Sequence, residues 1–207
     1  NDLVLGGQNI TAFANESISL AVSNIRIGGR NLLRNSSKFK DTAFWSAWAP
    51  SGTYGVSVIS LSDYGGVLRD MLVFNSTGGN GTLLHTGNPL LSSLKEGDSA
   101  VLSFLTKWSL PADASVHIRN SSDNTVGYGR FVLVKATDDS WYWYEAQITI
   151  TGSCNGARIQ IYPVADSIAF DELQLEIGNK KTPWTPAPED PASGVKTSKI
   201  EIGSDFI

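Results

Sequence analysis

The chain has 207 residues, 41% hydrophobic and 17% charged, with a formal net charge of −4. That composition describes a folded domain with its own core and excludes a disordered segment. The acidic balance, without a long Lys/Arg run, excludes nucleic acid as a partner, and no apolar run is long enough to insert in a membrane as a helix.

Twenty Gly and eight Pro point to many turns, as in an all-β fold. The single cysteine, Cys154, has no intrachain partner, so the fold must hold by its core. The opening Asn1-Asp2-Leu3 lacks a basic, apolar leader, and the expectation is a piece cut from a longer chain. Three zones follow: a connector at 1–29, a body at 30–187 and a second connector at 188–207. In the first, Ile18, Leu20 and Val22 alternate as in a strand, while Ile18, Val22 and Ile25 fit a short helix.

The body reads as strands. Asn31–Asp41 is taken as the first. Tyr54–Leu61, Val67–Phe74 and Ser99–Trp108 follow; in the last, Leu102 and Phe104 oppose Val101 and Leu105. Ser115–Arg119 and Tyr128–Val134 are joined across Asn120–Asn124. Trp141–Thr151 and Arg158–Tyr162 alternate, and Ile168–Ile177 closes the set. In the closing strand Ile168 and Phe170 share one parity, and Leu173, Leu175 and Ile177 the other, so a one-residue bulge is expected near Asp171-Glu172. The Pro-rich stretch that follows holds Trp184, which is expected to clamp the exit chain. The last connector carries Ile200, Ile202, Phe206 and Ile207. Short strands separated by turn residues predict an antiparallel sandwich or barrel.

The opening Asn31-Leu32-Leu33-Arg34-Asn35, followed by Trp45 and Trp48, and the closing Phe170-Asp171-Glu172-Leu173-Gln174-Leu175-Glu176 together resemble the jelly-roll carbohydrate-binding modules found beside cellulases and xylanases. The flanks Ile27-Gly28-Gly29-Arg30 and Gly178-Asn179-Lys180-Lys181-Thr182-Pro183-Trp184-Thr185-Pro186 resemble those of such modules in bacteriophage tail-tip and tail-fibre proteins. The resemblance implies an all-β jelly-roll β-sandwich with connector segments at both ends. It implies a non-catalytic module in a phage tail, in the virion, holding host-surface polysaccharide. Copies of the chain (a homotrimer) and other tail proteins are the implied partners. A structural spacer or trimerisation domain without glycan binding is the alternative. No cofactor is required, but the family often carries a structural calcium. Here it would fall at Asp41 and Asp171, with Lys40 standing where many members have Glu; Asp171 pairing with Lys40 or Arg30 is the other expectation.

A sugar site needs flat aromatic faces and planar polar groups. The aromatic candidates are Tyr54, Trp108, Tyr128, Trp143 and Tyr162; the polar ones are Arg119, Arg158, Gln160 and Asn75. Arg158, Gln160 and Tyr162 share one strand face, which is either a binding face or an ordinary wet one. Trp141 is expected in the core, and Trp45 and Trp48 fit there too. Enzyme readings are weak: His85 and His117 are the only histidines, no nucleophile elbow occurs, and the acid pairs Asp138-Asp139 and Asp171-Glu172 are adjacent rather than opposed.

Overall fold

The computed structural model describes residues 29–63, 65–77, 81–164 and 167–190, and two short strands near the start, β1 (Val4–Leu5) and β2 (Gln8–Asn9), which pair with each other. The rest of the first connector and residues 191–207 lie outside the described residues, so the expectations for Ile18, Val22, Ile200 and Phe206 do too. The body holds β3 (Trp45–Trp48), β4 (Tyr54–Ser62), β5 (Leu68–Ser76), β6 (Gly81–His85), β7 (Ser99–Lys107), β8 (Ser115–Arg119), β9 (Thr125–Arg130), β10 (Val132–Ala136), β11 (Trp141–Ile150), β12 (Arg158–Val164) and β13 (Ser167–Ile177). All the pairings are antiparallel. The fold is the expected all-β jelly-roll sandwich.

The hydrogen-bonded order is β3-β6-β12-β8-β9-β11-β7-β13-β5-β4, with β10 added on β11. One half of this path, β3 to β9, packs over the other, β11 to β4. Alternation explains why. Val116, Ile118, Ile159 and Ile161 from the first half meet Leu102, Phe104, Ile148, Phe170 and Leu175 from the second in one buried cluster. The alternate residues of β8 and β12 are then forced onto the outer face.

Strand β9 turns the corner between the halves. It pairs with all of β8 but with β11 through only Tyr128 and Gly127. Gly129 permits this close approach: a Cβ there would sit 2.4 Å from the backbone oxygen of Gln147. Gly129→Ala is expected to cost about 2 kcal/mol by forcing a backbone shift. Gly55→Ala, on β4 with nothing near its Cβ, is expected to change stability little; urea midpoints of the two variants check this.

The expected bulge in β13 is present, as a register shift between Asp171 and Gln174 with Glu172 at φ +52°. Ile168 and Phe170 before it, and Leu173 and Leu175 after it, all reach the same core. The expected first strand, Asn31–Asp41, is irregular instead. Asn35 and Lys38 have φ of 48° and 49°, which breaks extension, and the Asn31 side chain does the work of a ladder. Its Oδ1 accepts from Leu33 N (2.9 Å) and Leu175 N (3.2 Å); its Nδ2 donates to Leu173 O, Thr185 O and Ser36 Oγ. Asn31 thus stitches the opening segment, the closing strand and the exit chain together. Trp184 is half-buried, with Nε1 3.4 Å from Ser36 Oγ. Asp190 binds Asn35 N and Arg34, and Glu189 pairs with Arg30, so packed chain continues past Ala187.

Candidate functional site

The outer face of the first half forms a groove of about 800 Å³, lined by Trp48, Pro50, Thr82, Leu84, His117, Arg119, Asp123, Arg158, Gln160 and Tyr162. Register decides its floor. Leu84, Gln160, His117 and Tyr128 stand abreast on β6, β12, β8 and β9. Arg158 lies directly opposite Arg119 on the neighbouring strand. Tyr162 follows two positions beyond Gln160, so Arg158 and Tyr162 are about 13 Å apart along the strand. The groove therefore has a charged end at Arg119 and Arg158, and Tyr162 lies away from it.

At the charged end, Arg119 and Arg158 both bond Asp123 Oδ1, the former at 2.9 Å. Asp123 comes from the turn joining β8 to β9, where Asn120 Oδ1 accepts from Ser122 N and Asn124 N. The hydrogen bond from Arg119, with added attraction from Arg158, lowers the Asp123 pKa below the usual carboxylate range. Burial, then the charge of Arg119, lowers the pKa of His117 and keeps it neutral at pH 7. His117 packs edge-on against Tyr128 at 5.1 Å, and its Nε2 is 3.2 Å from Ser115 Oγ. The Ser115 hydroxyl donates to Tyr162 O, so His117 Nε2 is the donor toward Ser115 and holds its proton. This pair is therefore not a nucleophile and its base.

Of the sequence-derived candidates, Arg119, Arg158, Gln160 and Tyr162 come together here, with Tyr128 beside them. Three do not. Tyr54 is on β4 and lines a separate shallow hollow with Asn75. Trp108 follows β7, in the left-handed region at φ +71°. Trp143 packs with Trp141, Met71, Val73 and Leu105 in a second cluster on the other half of the sheet, under the ammonium of Lys135. The reason is shared: exposure of an aromatic ring is legible from alternation, but which face of which half it occupies is not. Trp48, which fits the core on sequence, is 49% exposed on the groove, while Trp45 is buried. Residues three apart in a strand point to opposite faces, so the spacing of the two tryptophans carried that signal. His117 and Asp123 were missed as groove residues.

The calcium expectation meets a poor donor set. Asp171 is buried, with Oδ1 held by Ser37 (2.5 Å) and Oδ2 by Arg69 (3.1 Å). Asp41 Oδ1 accepts from Asn35 and Ala43 N. The partner of Asp171 is thus Arg69 and not Lys40 or Arg30. Among the described residues no group of three or more His, Cys, Asp or Glu could hold a metal. A guanidinium already supplies the positive charge beside Asp171, and calcium does not fit there.

No protein-family model matches the chain, and no curated protein matches it. Solved structures do. The enzymatically active domain of tailspike protein 4 from bacteriophage CBA120 matches with a TM-score of 0.50 and 16% identity, over 71% of this chain and 21% of that one. The arabinose-bound MgGH51 α-L-arabinofuranosidase matches with a TM-score of 0.51 and 14% identity, over 71% of this chain and 26% of that one. A CBM22-1 xylan-binding domain from Paenibacillus barcinonensis Xyn10C matches with a TM-score of 0.49 and 16% identity, over 74% and 97% of the two chains. This chain thus spans about a fifth to a quarter of the first two, and the likeness is one of fold: an all-β sandwich that recurs inside larger proteins.

Proposed function

We propose that this chain is a non-catalytic carbohydrate-binding module of a phage tail-tip or tail-fibre protein, and that its groove holds glycan of the host surface. The observation that carries the reading is the pair Trp48 and Tyr162, 49% and 40% exposed, in one groove with Gln160 and two arginines. The tailspike likeness and the flanking motifs support the phage setting, and the arabinose-bound relative in fold supports a sugar. Catalysis is not proposed, because Asp123, the one carboxylate among the described groove residues, is tied to two arginines, whereas glycoside hydrolysis uses two opposed acids.

Assembly as a homotrimer with other tail proteins belongs to the same proposal. One observation favours self-association: Val132, Leu133 and Val134 on β10 are all exposed, at 62%, 48% and 49%. A spacer or trimerisation role alone would need only that face.

A glycan array and intact host cells test the groove. The native protein is expected to bind, and Trp48→Ala and Tyr162→Ala each to weaken binding roughly tenfold. Tyr54→Ala, outside the groove, is expected to leave binding unchanged. Absence of binding by the native protein, with trimers in sedimentation, would replace this reading with the spacer.

A further inference from the structure

The charge in the groove is larger than its internal partners require. Arg158 and Arg119 are direct cross-strand neighbours, and like charges so placed repel. Asp123 offsets one of them and neutral His117 offsets none, so among the described residues of the groove a net single positive charge remains, on a chain of net charge −4. Both guanidiniums converge on one oxygen, Asp123 Oδ1. The Nε of Arg119 is buried and donates to nothing. A buried donor without an acceptor carries a desolvation cost. The two planar forks are only about a third exposed, so their interactions are less screened than those of free surface charges.

We infer that the groove selects an acidic glycan, with an oxyanion substituent of the sugar seated on Arg119 and Arg158 while a ring of the chain lies against Tyr162 or Trp48. The inference rests on the glycan-binding reading and adds the ligand's charge. A uronate carboxylate and a phosphate diester share the needed chemistry. Asp123 sets the strength, because it competes with the ligand for the same two guanidiniums.

The test is calorimetric titration of the native protein with three probes: polygalacturonate, a neutral galactan of matched length, and poly(glycerol phosphate). At least one anionic polymer is expected to bind about tenfold more tightly than the galactan, with the margin shrinking as salt rises. Whichever anionic polymer binds more tightly identifies carboxylate or phosphate as the source. Arg119→Gln with Arg158→Gln is expected to abolish that margin. Asp123→Asn guards against misfolding of the double variant, since asparagine tolerates the φ of +63° at this position; it is expected to widen the margin. Equal binding of all three polymers by the native protein, or an unchanged margin in Asp123→Asn, overturns the inference and leaves the module a glycan binder. If none of the three binds and the array and intact cells are also negative, the glycan-binding reading itself fails; if none binds while the array is positive only for neutral glycans, the acidic selectivity alone fails.

Discussion

Replacing Arg69 with methionine is expected to lower the unfolding free energy by about 3 kcal/mol, the low end of the cost of stripping the partner from a buried charge. The side chain reaches from β5 to three acids: Nε to Asp63 Oδ2 at 2.8 Å, and Nη1 to Asp171 at 3.1 Å and Glu172 at 2.7 Å. Asp171 is almost wholly enclosed, at 1% side-chain exposure, and would keep only the Ser37 hydroxyl. Asp63 and Glu172 would repel it. The low-end figure applies because Arg69 is itself 26% exposed. The bulge that aims Asp171 holds Glu172 at positive φ, so its geometry depends on the same contacts. Guanidinium denaturation of native and variant protein at pH 7 measures the loss. A chelator is expected to leave the native Tm unchanged, because Arg69 supplies the counter-charge; a drop would restore the calcium expectation.

Acidification is expected to weaken the fold between pH 6.5 and about 4, and His85 is the main cause. Burial lowers its pKa from 6.5 to about 4. The ring sits against Trp45 at 4.5 Å and stacks on Phe44 at 5.9 Å, with Nε2 3.2 Å from Arg34 O. Nδ1 is buried and has no partner, so a proton added there would be an unpaired donor on a charged ring. The unfolded chain takes up this proton below pH 6.5 and the folded chain does so only near 4. The contribution is therefore complete above 6.5 and is lost as pH falls toward 4. At ~1.4 kcal/mol per pH unit, the loss amounts to roughly 3 kcal/mol. His117, shifted in the same direction, adds to the slope. His85→Gln keeps a donor for Arg34 O and is expected to flatten most of the slope. Urea titrations of both proteins over this range decide it; identical slopes would remove His85 from the account.

Much of the scaffold was written locally. Ser115–Arg119 coincides with β8, Trp141–Thr151 covers β11 and overruns it by one residue, and the parity switch of the closing strand placed the bulge correctly. These features depend on alternation along a few consecutive residues, and a sequence displays alternation directly. Strands β3 and β6 were not legible. Gly81-Thr82-Leu83-Leu84-His85 sends Leu83 to the core and Leu84 to the groove, so both faces read as apolar. The run Tyr128–Val134 was read as one strand but splits at Phe131 into β9 and β10, because the chain there leaves one half of the sandwich for the other.

The sequence by itself determined that this chain is an antiparallel sandwich or barrel, that Arg158, Gln160 and Tyr162 of β12 share one face, and that Asn31 and the closing strand belong together. Those properties follow from periodicity and from a motif carried by the chain itself. The tertiary structure alone decided that Arg158 faces Arg119, that Asp123 lies between them, that Trp48 and Tyr162 share one groove, and that Arg69 is the counter-charge of Asp171. Apart from the local contact of Arg119 with Asp123, each of these pairs residues 35 to 114 positions apart, and their meeting is set by interstrand register and the folding of one sheet over itself. No local pattern encodes such a register; packing of the whole core selects it.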